Sequence, residues 1–452
     1  MIAPARVAAF DVLRRVASGQ ADLSTGLAQA RESLADERDR ALATEIATGT
    51  ERWRAALDHL IAVYTRRPAS RLDPDVAAIL RLSLYQLLHL TRVPVSALVN
   101  DAVALTKRAG FTSAAGFVNA VLRRAARERG RPVLPARPSD AHDWEAAVAY
   151  LSVTLSHPRW LAERWLSRLG FARAEAWMQF NNQPAPLTLR VNPLRTTRDR
   201  LGEELAAHGA EVEPARYAPQ GLILKRGSAH EAVSRGSCIV QDEASQLVAL
   251  LAGMAPGPLV LDTCASPGGK ATAIAAHLPP GARLVACDLR PRRMALLRES
   301  VASSGADNVR LVQADLAVPL PFAPAFSTVV VDAPCSGLGT LRRDPDIRWR
   351  RSESDLVPLA AAQRLMLEHA AAVVAPGGRL VYATCSSEPE ENEEIAAWFL
   401  SAHPGFRAVP AGDANGALAP ELIDARGHLR TEPDRHQLEG FFGAVFERVA
   451  VL

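Results

Sequence analysis

Across residues 1–129 apolar side chains recur every three or four positions. Val7, Phe10, Leu13 and Val16 form one stripe, Ile46, Trp53, Leu57 and Leu60 a second, and Phe117, Val118, Val121 and Leu122 a third. This spacing gathers each set on one helix face, so residues 1–129 are predicted to be all-helical. Asp73-Pro-Asp75 supplies a cap and a first-turn proline for a helix over Val76–Leu90, and Pro94 and Gly110-Phe-Thr112 punctuate the end of the domain. The prolines of Gly130–Pro138 favour extended backbone and mark a stiff linker, taken as 130–143. Residues 144–235 read as a helical stretch, Trp144–Phe180, followed by a small α/β unit. Its strands fall at Leu187–Val191, near Val212 and at Leu222–Leu224, with a helix over Asp199–His208. Trp160 and Trp165 in the helical stretch read as core residues. From Gly236 short apolar runs alternate with helical ones. Strands are predicted at Leu259–Asp262, Leu284–Cys287, Val309–Gln313, Thr328–Val331 and Leu380–Ala383, and helices at Ala271–Leu278, Ser352–Val374 and Glu390–Leu400. Such alternation predicts a parallel sheet with helices on both faces for residues 236–452.

Composition narrows the class. At 452 residues, 48% hydrophobic and 22% charged, the chain suits a soluble protein of two or three domains. No uninterrupted apolar stretch reaches the roughly 18 residues a membrane helix needs. Asp11, Arg14 and Arg15 break any signal-peptide pattern. Five cysteines without a C-x-x-C pair argue against a disulfide framework or a zinc site. A reduced, cytoplasmic protein with no metal and no membrane partner is therefore expected. Charge is uneven: residues 1–140 carry 21 Lys+Arg against 14 Asp+Glu, a net +7, and the remainder carries a net −4. A basic helical half beside a mildly acidic half points to a polyanion held mainly by the first. Arg123, Arg124 and Arg127 on the last predicted helix are the favoured contacts there.

Candidate chemistry collects at strand ends, where open parallel sheets bind ligands. Cys335, in Asp332-Ala-Pro-Cys-Ser-Gly337, and Cys385, in Thr384-Cys-Ser386, each follow a predicted strand, which suggests a nucleophile with a helper. After Leu259–Asp262 comes Thr263-Cys-Ala-Ser-Pro-Gly-Gly-Lys270, whose glycines let backbone approach a ligand at a helix start. Asp288 ends the next strand. An acid at that distance beyond a glycine turn can bind ribose hydroxyls. Asp315 follows the third strand, and acids in this series suit an adenosine ligand.

Together with Gln241–Gln246 and Gly440-Phe-Phe-Gly-Ala444, these motifs resemble the Sun/Nop family of S-adenosylmethionine-dependent RNA cytosine-5 methyltransferases. Arg342-Arg-Asp-Pro-Asp-Ile-Arg-Trp349 is similar to the bacterial branch acting on small-subunit ribosomal RNA, and residues 1–129 resemble a NusB-type RNA-binding domain. Glu439 stands where the family pattern has Asp. The resemblance implies a multidomain protein. An all-α NusB-like domain would precede a small RNA-recognition-like segment and a Rossmann-like methyltransferase domain. It implies Cys385 as nucleophile on cytosine C6, Cys335 in release of the adduct, and Asp332 on the cytosine edge. Lys270 would polarise the base or sit beside the cofactor carboxylate. S-adenosylmethionine would lie along Cys264, Ala265, Ser266, Pro267, Gly268, Gly269 and Lys270, with Asp288 on its ribose, Asp315 near its adenine and Asp332 near the transferred methyl. Arg342, Arg343, Arg348 and Trp349 would meet RNA at the catalytic mouth. The partner implied is small-subunit ribosomal RNA before full subunit assembly, with nothing calling for an obligate protein partner. Rival readings are a transfer-RNA enzyme, a DNA cytosine-5 methyltransferase in which Cys335 is the nucleophile, or a non-catalytic RNA-binding assembly factor.

Overall fold

The computed structural model describes residues 2–130, 133–252, 257–414 and 416–450, so Arg131 and Pro132 of the expected linker lie outside the described residues. The chain forms two units: residues 1–183 with 341–353, and residues 184–340 with 354–452. Among the described residues no helix is long and apolar enough to cross a membrane.

In the first unit helices span Pro4–Ala17, Leu23–Ser33, Glu37–Arg52, Arg54–Thr65, Pro74–His89, Val95–Arg108 and Ala115–Glu128. The three stripes read from sequence meet in one core, where Phe10, Leu13, Ile46, Leu57, Val118 and Leu122 are all buried. Helix Pro74–His89 runs through it, started by the Asp73 carboxylate accepting from the Asp75 N–H and by Pro74 in the first turn. Three further helices, Trp144–Ala149, Arg159–Leu169 and Phe171–Asn181, also belong to this unit. The sequence grouping of 144–235 as one segment is therefore divided after residue 183. The reason is packing: Trp165 is fully buried with its ring 5.4 Å from that of Trp177, and the Ser156 hydroxyl accepts from the Ala55 N–H at 3.0 Å.

Residues 341–353 complete this unit, although the flanking chain belongs to the other. Arg348 has no exposed surface, and its guanidinium donates to the carbonyls of Ser156 (2.9 Å), Leu341 (3.2 Å), Arg52 (3.4 Å) and Asn181 (3.4 Å) and to Asn182 Oδ1 (3.0 Å). Arg52 and Asn181 are the last residues of their helices. Carbonyls there have no partner within the helix and carry the negative end of its dipole. Trp349 Nε1 donates at 2.7 Å to the carbonyl of Glu51 in the same last turn. Arg348 and Trp349 therefore cap helix ends in the interior, and the expectation of Arg348 as an RNA contact is corrected: a phosphate cannot reach it. Trp349 is half-buried, with the Arg54 guanidinium 5.7 Å from its ring centre, and so is not a free stacking platform.

The second unit holds two sheets. Strands β1 (Leu187–Val191), β2 (Glu211–Pro214), β3 (Gly221–Arg226) and β4 (Cys238–Val240) make an antiparallel sheet in the order β2-β3-β1-β4. Helix Arg198–Ala207 covers it through Leu201 and Leu205, which pack with Leu189, Val191 and Leu222. The larger sheet contains β5 (Leu259–Asp262), β6 (Arg283–Asp288), β7 (Val309–Gln313), β8 (Phe326–Asp332), β9 (Val374–Thr384), β10 (Phe406–Val409), β11 (Leu429–Thr431) and β12 (Phe441–Arg448). Its order is β10-β12-β9-β8-β5-β6-β7, with β11 paired to β12. Strands β5 to β9 are parallel and β10 to β12 antiparallel, so the sheet is mixed at one edge. Alternating residues feed two cores, as side chains on a strand must. Val260, Val330 and Val381 face one core, and Leu261, Val329, Val331 and Tyr382 face the other.

Candidate active site

The chain runs outward from β5 through β6 to β7, then resumes at β8 on the other side of β5. Such a reversal opens a crevice at the strand carboxyl ends. Asp262 ends β5 and Asp332 ends β8. Register between β8 and β9 sets Asp332 beside Ala383, so Cys335 and Cys385 leave the same edge and their sulfurs meet at 3.3 Å. Cys335 is pushed well up from its usual range, first by its hydrogen bond with Cys385 and then by burial.

Lys270 Nζ lies 2.7 Å from Asp332 Oδ2. Burial works against its ammonium, but Asp332, joined by Cys385 and Asp262, raises its pKa above the usual lysine value. Gly339 packs the Cys335 loop onto the other walls. Its N–H donates to the Cys385 carbonyl at 2.9 Å, its own carbonyl accepts from Gly440 N–H at 2.8 Å, and an added Cβ would stand 1.9 Å from the Gly440 oxygen. The Gly440-Phe-Phe motif thus serves as the backing of the cysteine loop.

The loop expected to hold the cofactor is fastened to the neighbouring strand. Ala265 N–H donates to the Cys287 carbonyl at 2.8 Å and Ser266 N–H to Asp288 Oδ2 at 3.2 Å, tying the loop to the end of β6. Gly268 has a φ of 112°, and a Cβ there would lie 2.7 Å from that of Ser300. The turn into helix Gly269–His277 therefore requires glycine. Asp288 also pairs with Arg293 Nε at 3.2 Å. Cys264 is held as a thiol by burial. Pro267 is exposed, and Asp315 is half-buried with Oδ1 accepting from the Ala317 N–H at 2.8 Å.

Two acids escaped the sequence reading of the site. Asp262 is buried, with Oδ2 lacking a hydrogen-bond partner, and burial, reinforced by Asp332, pushes its carboxyl up to about 7. An orphaned acid beside a glycine cradle fits a ligand that brings its own cation, as S-adenosylmethionine does with its ammonium and sulfonium groups. Glu391, also fully buried, accepts from Ser336 N–H at 2.8 Å and Ser386 Oγ at 2.5 Å, one residue beyond each cysteine. It lies in an acidic run, Glu388-Pro-Glu-Glu391, and such runs normally face solvent.

In the helical unit Arg123 and Arg127 are exposed on helix Ala115–Glu128, whereas Arg124 is half-buried and donates to the Tyr64 carbonyl at 3.1 Å. Arg342 and Arg343 are half-buried, Arg342 with its guanidinium 4.4 Å from the centre of the Phe180 ring.

Asp288→Ala is expected to weaken binding of S-adenosylmethionine by about 1.5–3 kcal/mol, the scale of a hydrogen bond to a charged group. Calorimetry on the folded variant checks this; unchanged affinity would remove Asp288 from the cofactor site.

Residues 249–447 match the family described as 16S rRNA methyltransferase RsmB/F, residues 3–127 the NusB family, and residues 157–230 the RsmF/B-like ferredoxin-like domain. The chain is 35% identical to the ribosomal RNA small subunit methyltransferase B of Pseudomonas putida, over 98% of each chain. It is 36% identical to the protein of that name from Xylella fastidiosa, over 92% of this chain and 93% of that one. The crystal structure of PH0851 superposes with a TM-score of 0.81 at 26% identity, covering 99% of both chains. Matched almost end to end at such identities, the chain belongs to the ribosomal RNA small subunit methyltransferase B family, and its methyl donor is S-adenosylmethionine.

Proposed function

We propose that the protein methylates C5 of a cytosine in small-subunit ribosomal RNA, cytosine 967 of the 16S molecule, through a covalent adduct between Cys385 and the base. The observation that carries the reading is the pair of sulfurs 3.3 Å apart at the carboxyl edge of β8 and β9, beside the Lys270–Asp332 pair. Cytosine C5 is a poor nucleophile. When bound, S-adenosylmethionine supplies an electrophilic methyl group, and the residues of the chain have to make C5 able to accept it. Cys385 adds to C6, forming a C–S bond and moving the ring electrons onto C5. Asp332 and Lys270 hold the polar edge of the base as charge develops. Once C5 carries the methyl, its proton must leave before the C–S bond breaks. By then the Cys385 sulfur is tied up in that bond, which removes the largest cause of the raised Cys335 pKa. Cys335 can then pass its proton to solvent, take the C5 proton as a base, and let Cys385 depart. The target must be single-stranded or flipped out, because C6 is inaccessible in a stacked helix.

RNA affinity is assigned to the basic helical unit, through Arg123 and Arg127 with Arg129 beside them, all exposed. Changing the three to alanine is expected to weaken RNA binding and lower the salt slope by about 2 to 3, since each lost phosphate contact removes about 0.7–0.9. A filter-binding series across salt concentrations checks this; an unchanged slope would move the RNA contact elsewhere. Deleting residues 1–129 would also remove the Arg52 carbonyl from Arg348 and the Glu51 carbonyl from Trp349. Mapping 5-methylcytosine in ribosomal RNA from cells lacking the protein tests the function as a whole. Retention of every such site would overturn it.

A further inference from the structure

We infer that Glu391 is the positioning residue that sets the spacing of the two cysteines for the reaction proposed above. It lies on the short helix Pro389–Glu391, fully buried. Oε1 accepts from the Ser336 backbone N–H at 2.8 Å and from Gln363 Nε2 at 2.9 Å, and Oε2 accepts from Ser386 Oγ at 2.5 Å. Ser336 follows Cys335 and Ser386 follows Cys385, so one carboxylate grips both cysteine loops from behind. Those two serines also meet each other, Oγ to Oγ, at 3.1 Å.

The grip is itself braced. Gln363 donates to the Pro334 carbonyl at 3.1 Å, on the other flank of Cys335. Tyr382 donates its hydroxyl to the Glu391 carbonyl at 2.6 Å and lies within 3.0 Å of Gln363 Oε1. Asn392 donates to the Ser386 carbonyl at 2.9 Å and accepts from Thr384 Oγ1 at 2.5 Å. A buried carboxylate survives only where its oxygens are satisfied, and three donors from two loops and a helix meet that need. The loops in turn have no freedom to separate without exposing an unpaired charge. Such networks hold geometry more strongly than the sum of their pairs. Two thiols that must act in sequence on one base need that precision, since a misplacement of about 1 Å can cost about 100-fold in rate.

The charge has a second consequence. Cys335 is faced by Tyr382 on β9, by Cys385 just past its end and by Glu391 from its short helix, and Glu391 is among the causes that raise the Cys335 pKa. Glu391→Gln keeps an oxygen for Ser336 and Gln363, and Ser386 can rotate its hydroxyl to accept from the new amide, so it removes charge with little change of shape. Glu391→Ala removes the grip.

The test needs neither RNA nor methyl donor, so it stands apart from the assignment of the methylated base. Full-length protein is treated with diamide, which takes up the two S–H hydrogens as the Cys335–Cys385 disulfide forms and is itself reduced to the hydrazine. Closure of that bond reads how well the sulfurs are held together. Glu391→Ala is expected to slow closure at least about tenfold, and in methylation assays to lower kcat about 100-fold with KM for both substrates within about twofold. Closure at the unmodified rate in a folded Glu391→Ala protein overturns the proposal. If that variant does not fold, Ser386→Ala decides: it removes the hydroxyl by which Glu391 holds the Cys385 loop, disulfide closure is expected to slow, and closure at the unmodified rate overturns the proposal.

Discussion

Cys385→Ala is expected to abolish both methylation and any denaturant-resistant complex with RNA, whereas Cys335→Ala is expected to accumulate that complex. The rate lost with Cys385 should be about 10⁴-fold or more, since no other group at the site replaces a covalent nucleophile. The asymmetry follows from the two roles proposed. Cys335 lies against Cys385, and its raised pKa suits it to a proton-transfer step rather than to the attack. Without Cys335 the attack still occurs and C5 still receives its methyl, but the C5 proton has no acceptor and the C–S bond cannot break. The trapped species should therefore require S-adenosylmethionine and intact Cys385. Denaturing gels with labelled RNA give the answer directly. A trapped complex in Cys385→Ala, and none in Cys335→Ala, would exchange the two roles and favour the DNA-type mechanism.

Much of this site was legible because parallel strands announce themselves. Runs such as Val309–Gln313 match their strand residue for residue, and both cysteines sit just past their strand ends. Cys335 and Cys385 could be paired in sequence only as ends of two strands; the 3.3 Å contact depends on the β8–β9 register, which no local pattern encodes. Glu391 was illegible for a different reason. An acidic run normally marks solvent, and burial of one member depends on Ser336, Ser386 and Gln363 arriving from elsewhere in the chain. Strand β12 was visible only as a motif, because Phe441–Arg448 is apolar through nearly its whole length and shows no alternation. Arg348 misled most. Positive charge near a catalytic cysteine reads as phosphate recognition, but arginine is also a good donor for a cluster of helix-end carbonyls.

Arg348→Ala is expected to destabilise the helical unit by roughly 3–5 kcal/mol, the scale of truncating a large buried side chain together with its hydrogen bonds. Five acceptors now share that guanidinium, among them the last carbonyls of helices Glu37–Arg52 and Phe171–Asn181. Alanine removes the donor they share, and opens a cavity where a large side chain stood. Burial pushes the Arg348 pKa down to about 9, so taking this cation out of water already carries a cost, and the carbonyl dipoles are what offset it. Arg348→Lys is expected to recover only part of the loss, because one ammonium offers three donors and cannot span both helix ends. The measurement is chemical denaturation of the full chain, with RNA binding followed at a temperature where the variant stays folded. A phosphate contact predicts the opposite pair of results, with unchanged stability and a salt slope lower by about 0.7–0.9. Finding that pair would return Arg348 to the RNA surface and remove the helix-end account of residues 341–353.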